Sequence, residues 1–414
     1  MAPAAYHAAH RFGLGRRPGE PLPDDPRAWL RAQLDAPDPL AAATTEGTSA
    51  GLAAFREDRR DPRRDGPPRA RVIYRAEAAR QLGHAIVTAA PFRERLVRFW
   101  ANYFTVSLRR GECAPIAGSF VNEAIRPHVT GRFADMLLAV ARHPAMLIYL
   151  DNNTSVGPAS PARRRGNRGL NENLAREIME LHTLSPAAGY TQADVTSFAR
   201  VLTGWSVERG REPYGFVFRK PAHEPGEKQL LGRRFPQGEE GGEQALRFLA
   251  GHPATHRHLA RQFACHFVAD TPPEPAVRAI EAALRGTDGD LGAAARAMIR
   301  LEAAWKPLAK LRAPQDWAIA CLRALDLPEA RRPDLVGVCA GLGQPVWTAP
   351  EAMMRRVDWA YGISGRAGGR DVVALAEATL GPLATEETKR AISRAGSVRD
   401  AITLLIASPE SQRR

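Results

Sequence analysis

Apolar side chains recur at three- and four-residue spacing through most of the chain, and proline or glycine interrupts the rhythm at short intervals. That is the pattern of successive short helices. It predicts a mainly α fold, an irregular multi-helix orthogonal bundle with one small β-hairpin. From residue 71 to about 106 two helices follow one another, broken at Pro91. The second carries Phe92, Leu96, Phe99, Trp100, Tyr103 and Phe104 on one wide stripe, the composition of a core face. Residues 132–150 are strongly apolar and should run through the middle of the body, with Pro144 dividing them into two helical pieces. The hairpin is predicted from 214–218 and 228–231, which flank the polar stretch 219–227. From about 242 to 408 short helices follow, interrupted at Pro253, Pro272, Pro307, Pro314, Pro333 and Pro350, with no fixed repeat. Three segments result: a helical opening segment, 1–35; a mobile insertion, 36–70, rich in Ala, Pro, Gly and charge without a clear apolar face; and a helical body, 71–414.

The richest stretch is 171–205, NENLAREIMELHTLSPAAGYTQADVTSFARVLTGW, two amphipathic helices joined by a short turn. With Asn171 as cap and 100° per residue, Leu174, Ile178 and Leu181 form a core stripe with His182 on its edge. Glu172, Arg176 and Glu180 follow each other at four-residue steps, a surface ladder worth about 0.2–0.5 kcal/mol per pair. Asn173, Glu177 and Glu180 form a second row beside the core stripe. Two readings of Glu177 and Glu180 stand at this point. They are solvated structural carboxylates, or a pair at the core boundary that divides acid and base roles or holds a divalent metal. His182 follows Glu177 by five residues and Glu180 by two, so it shares no ligand face with either, and HExxH is absent. The second helix opens on Thr191 with Asp194 three residues on, a variant of the capping box, and buries Val195, Phe198, Leu202 and Trp205. Gln192 is left without a role.

Other candidates are more isolated. His223, beside Glu224 and near Glu227 and Lys228, reads as a general base or as part of a hydrated turn. His252 and His256 have a spacing that can take a metal, but Pro253 puts His252 at a helix entrance and no carboxylate or thiolate completes the set. Asn102 is an amide inside an aromatic stripe, and a buried amide needs a partner that a pocket can supply.

Composition removes several classes of function. The net charge of +13 invites a nucleic-acid reading, yet 53 of the 58 basic residues are arginine, spread along the chain in the manner of a GC-rich genome. The densest clusters lack aromatics to stack bases, which disfavours nucleic acid. No apolar run approaches a membrane span, and no cleavable leader precedes the body, which points to the cytoplasm, or to the periplasm by way of a co-exported partner. Cys113, Cys265, Cys321 and Cys339 form no CxxC pair and read as buried thiols. There is no GxSxG elbow, Walker loop or dinucleotide fingerprint.

Several long motifs in order, RFGLGRRPGE, RLVRFWANYFTVS, IRPHVTGRFADMLLAVARHPAMLIYLDN, the central stretch, HEPGEKQLLGR, LARQFACHFV and KLRAPQDW, resemble those of a large bacterial family catalogued as domain of unknown function 1800. The resemblance implies a predominantly helical fold, and it carries over no catalytic residue. It also implies a two-protein system with a phosphatase- or sulfatase-like family numbered 1501. Relatives usually read FWxNHF where this chain has Tyr103, and they follow GQP with a Pro-rich segment ending in GWP. Here Gly343-Gln344-Pro345 passes through VWTAP directly into EAMMRRVDWA. The sequence as a whole points to a polar, carboxylate-lined pocket on the central helix with hydrolase-like activity. In that reading Glu177 and Glu180 act as acid, base or metal ligands, supported by Asn102, His182 and His223. The alternative is a non-catalytic binding or export companion of the family 1501 protein.

Overall fold

The computed structural model describes residues 2–40, 46–62, 65–108, 110–165, 168–306, 310–334, 336–338 and 350–414. Helices dominate, and among the described residues the strands form two small antiparallel pairs. The motif Gly343-Gln344-Pro345 lies outside the described residues.

The aromatic helix Pro91–Tyr103 is the centre of the larger core. Pro91 occupies its first turn, where a missing N–H costs nothing. Phe99 meets Phe263 of helix Pro253–Phe267 edge-on at 5.4 Å, Phe92 meets Phe267 at 6.1 Å, and Trp100 reaches Phe133 of helix Phe133–Arg142 at 6.0 Å. Such offset and edge contacts add about 0.5–1.5 kcal/mol each to the burial itself. As Pro144 predicts, a second piece, Pro144–Tyr149, follows the helix that ends at Arg142, and both are buried here.

A second core gathers helices Pro314–Leu325, Pro350–Ser364, Val372–Thr379 and Val398–Ala407 around Trp317, Ile319, Leu322 and Ile402. Leu14 and Leu82 join it from the N-terminal half, while Phe12 belongs to the first core. The opening segment therefore runs between the two cores. Its helix Ala2–His7 continues as a π turn, Ala8–Phe12.

Three expectations change. Within 36–70 a helix, Thr48–Arg60, packs on the body. It docks through Leu52, which joins the first core, and through small residues beside it: Ala54 is buried, and a Cβ on Gly51 would come within 2.5 Å of the Pro115 carbonyl oxygen. Its first residue, Thr48, is buried and bonds through its hydroxyl to His143 Nε2 and Glu123 Oε2, both at 2.8 Å.

The two predicted strands do not pair with each other. β1 (Trp205–Glu208) pairs with β2 (Gly215–Phe218), and β3 (Lys228–Leu230) with β4 (Arg233–Phe235). Leu231 and Gly232 both take positive φ, 48° and 78°, so the chain reverses in two residues.

Leu181 is 49% exposed, and His182 takes the core position in its place. The α-helix Asn173–Glu177 gives way to a π turn, Ile178–His182. A π turn spends an extra residue per turn, so the core face after Ile178 falls on His182.

Candidate functional site

The π turn decides what the central helix presents. Glu177 is half-buried, and burial, reinforced by the neighbouring charge of Glu180, pushes its carboxyl above the usual range. His182 is 3% exposed, and burial holds it neutral, down to about 3. Its Nδ1 has no hydrogen-bond partner among the described residues. The Tyr103 hydroxyl donates to the His182 carbonyl oxygen at 3.1 Å, and the rings of Phe104 and His182 lie 4.8 Å apart. Tyr103 thus stands at the junction of the aromatic helix and the central helix. Among the described residues no three His, Cys, Asp or Glu side chains are placed to hold a metal ion, so Glu177 and Glu180 have no third ligand there.

The neighbouring polar atoms are committed. Glu172 accepts from Thr196 Oγ1 at 2.7 Å, Gln192 Nε2 at 2.8 Å and Arg176 at 3.2 Å, which gives Gln192 its role as the tie between the two helices. Thr191 and Asp194 form the reciprocal capping box. His252 caps its helix by accepting from the Ala254 N–H.

His223 belongs to a different part of the molecule. Its Nδ1 donates to the Thr203 carbonyl oxygen at 2.7 Å, and its Nε2 accepts from the Gly238 N–H and from Lys228 Nζ, each at 2.9 Å. Both ring nitrogens are engaged in joining the two strand pairs. Lys228 is buried beside it, and burial lowers its pKa to about 8.

The fifth candidate, Asn102, is exposed rather than buried, and it leads to a cleft of about 510 Å³. On the aromatic helix Arg95, Arg98 and Asn102 are spaced i, i+3, i+7, so they share one face. That face lines the cleft opposite Lys310, Arg312 and Asp316, while His266 and Arg414 form a further wall. Among the described residues, five cationic side chains, Arg95, Arg98, Lys310, Arg312 and Arg414, stand against two carboxylates, Asp270 and Asp316.

Asp316 is at the centre of this arrangement. It sits in the first turn of helix Pro314–Leu325, where the helix dipole favours an anion. Arg95 donates to its Oδ2 at 2.9 Å and Arg98 to its Oδ1 at 3.3 Å. Burial alone would raise its pKa, but the two guanidiniums hold the carboxyl far below the ordinary range. Arg95 also donates to the Gly13 carbonyl oxygen at 3.1 Å, which fixes the opening segment to the cleft floor.

The remaining cations meet mostly neutral acceptors. Arg312 donates to the Arg413 carbonyl oxygen at 3.1 Å and to His10 Nδ1 at 2.6 Å, while its Nη1 is buried without a partner among the described residues. Arg414 donates to the His266 carbonyl oxygen at 3.2 Å. Lys310 donates to the Cys265 carbonyl oxygen at 2.7 Å and pairs with Asp270, whose side chain is 78% exposed. Burial, with the Arg95 charge added, keeps His266 neutral, down to about 3. The cleft therefore holds an excess of positive charge over its own carboxylates.

A helical bundle with a cationic cleft between its two cores is the class that the fold and site define. The chain matches the model of the family described as "Protein of unknown function (DUF1800)" over residues 7–413, and it belongs to that family. No curated protein and no solved structure matches it. Four of the motifs that carry the resemblance meet at the cleft. RFGLGRRPGE supplies the Gly13 carbonyl, RLVRFWANYFTVS supplies Arg95, Arg98 and Asn102, LARQFACHFV supplies His266, and KLRAPQDW supplies Lys310, Arg312 and Asp316. The cleft is hidden in the local pattern because its arginines share a helix with a dominant aromatic stripe. The i, i+3, i+7 spacing of Arg95, Arg98 and Asn102 was the available signal.

Proposed function

We propose that this protein binds a small anionic molecule, one bearing a carboxylate, phosphate or sulfate group, in the cleft between the aromatic helix and helix Pro314–Leu325. The observation that carries the reading is the excess of five cationic side chains over two carboxylates around a cavity of about 510 Å³, a size that admits small metabolites. Arginine forks match planar and tetrahedral oxyanions with paired hydrogen bonds, and partial burial strengthens them. Arg95 is fixed by both Gly13 and Asp316, and Arg98, which donates to Asp316 Oδ1 and Gln315 Oε1, is the guanidinium assigned to the entering anion in this reading. Asn102 is placed to hydrogen-bond the neutral part of the ligand, and the Phe99 ring gives that part an apolar surface.

The test is thermal melting with inorganic phosphate, sulfate and citrate at constant ionic strength. A ligand at 100 times its Kd stabilises the folded chain by about 2.7 kcal/mol. The expected result is a saturable rise in Tm with at least one of these anions, lost in Arg98→Ala. No anion-specific rise, or a rise that survives Arg98→Ala unchanged, contradicts the reading.

One observation favours a second reading, acid–base chemistry on the central helix. Glu177 is a half-buried carboxyl group with a raised pKa close to Glu180, immediately before a π turn, and π turns recur at functional sites. In this reading Glu177 is the acid and Glu180 the base. It expects Glu177→Gln to fold normally and lose ligand turnover, whereas an unchanged turnover removes it.

A further inference from the structure

A second, much smaller cavity lies on the far side of Arg312, where the opening segment meets the C-terminal core. Its volume is about 20 Å³, room for one water-sized species. His10, Arg16, Arg312, Cys321, Thr379 and Ser411 supply its polar lining, and among the described residues no carboxylate lines it. Arg312 is 1% exposed and Arg16 is 7% exposed. Arg16 donates to the carbonyl oxygens of Ala378 and Glu20, and Arg312 to a carbonyl oxygen and to neutral His10. The other polar side chains are turned elsewhere. Thr379 Oγ1 donates to Leu375, Ser411 Oγ to Leu405, and the Cys321 thiol to Ile406.

Two buried guanidiniums at one small cavity, with only neutral partners, are costly unless a negative charge accompanies them. Asp316 acts on Arg312 from the neighbouring cleft, but its carboxylate is already held by Arg95 and Arg98. The buried Nη1 of Arg312 is left without a partner among the described residues. A water molecule would satisfy that N–H and leave the charge. A monatomic anion of nearly the same size satisfies both.

We propose that this cavity is a halide site that takes chloride, with Arg312 as its donor and Arg16 as the second positive charge. The ion joins the opening segment to the C-terminal core, because its lining comes from both. Arg312 borders both cavities, and the halide site does not require a ligand in the larger cleft.

The experiment uses the full chain, melted in sodium gluconate, fluoride, chloride and bromide at one ionic strength, and crystallised in bromide. Chloride and bromide should raise Tm saturably, by at least about 1 °C over gluconate. Bromide should give an anomalous peak in contact with Arg312 Nη1. Ala324→Leu, which fills the cavity while leaving Arg312 in place, should remove both the peak and the halide response. Asn102→Ala, which alters the cleft and leaves Asp316 with both its arginines, should keep both. A Tm that follows ionic strength regardless of the anion overturns the proposal, as does a cavity that shows water and no bromide peak.

Discussion

Arg95 and Asp316 stand 221 positions apart in the chain and share a 2.9 Å hydrogen bond, with side chains 1% and 10% exposed. The pair joins the aromatic helix of the first core to the leading turn of a helix in the second. Losing one member leaves the other charge buried, so Asp316→Asn is expected to destabilise the fold by about 3–5 kcal/mol. Urea denaturation measures this directly. The exposed pair Arg247 and Asp135 is the control, where Asp135→Asn should cost no more than about 1 kcal/mol.

The π turn of the central helix makes a prediction that runs against simple helical periodicity. Leu181→Gln should change stability by no more than about 0.5 kcal/mol, because the side chain faces solvent. Ile178→Ala, three residues earlier and 1% exposed, should cost about 2–5 kcal/mol. Equal costs at the two positions would show a continuous α-helix instead.

Acid should destabilise the protein before its carboxylates titrate. His10, His182 and His266 are each held neutral, down to about 3, mainly by burial. The unfolded chain takes up protons on these residues near pH 6.5, whereas the folded chain resists until near pH 3. Between those values the unfolded state binds more protons, so stability is full above about pH 6.5 and falls as pH drops toward 3. Melting from pH 7.5 to 5 should show a falling Tm, and His266→Gln should flatten the slope. A Tm independent of pH across that interval contradicts the assignment.

Helix Thr48–Arg60 depends on its first residue for attachment. Thr48→Val removes its hydroxyl bonds to Ser119, His143 and Glu123. It should speed limited proteolysis between this helix and the one beginning at Arg69, at a cost in global stability of about 1–3 kcal/mol. An unchanged cleavage rate would mean that Gly51, Leu52 and Ala54 hold the helix without it.

Local periodicity made the helical class, the aromatic core and the capping box legible, because each is written within one or two turns of chain. Leu181 was misplaced because an α-helical wheel contains no inserted residue. The strand pairs were misread because Leu231 and Gly232 form a two-residue reversal without the Asn-Gly signal that usually marks one. The Thr48 helix is hard to read because its buried face joins a single large residue, Leu52, to small ones that permit close backbone approach. The cleft was hidden for another reason. Arg95 and Arg98 announce a shared face, but their partner Asp316 comes from a segment that no local pattern connects to them.

The most direct measurement is isothermal titration of inorganic phosphate, sulfate and citrate into the wild-type protein, Arg98→Ala and Glu177→Gln in one chloride-containing buffer. The cleft account predicts saturable binding of at least one anion to the wild type, a loss of about tenfold or more in Arg98→Ala, and unchanged affinity in Glu177→Gln. Affinity that is indifferent to Arg98 and lost with Glu177 would contradict it and move the site to the central helix.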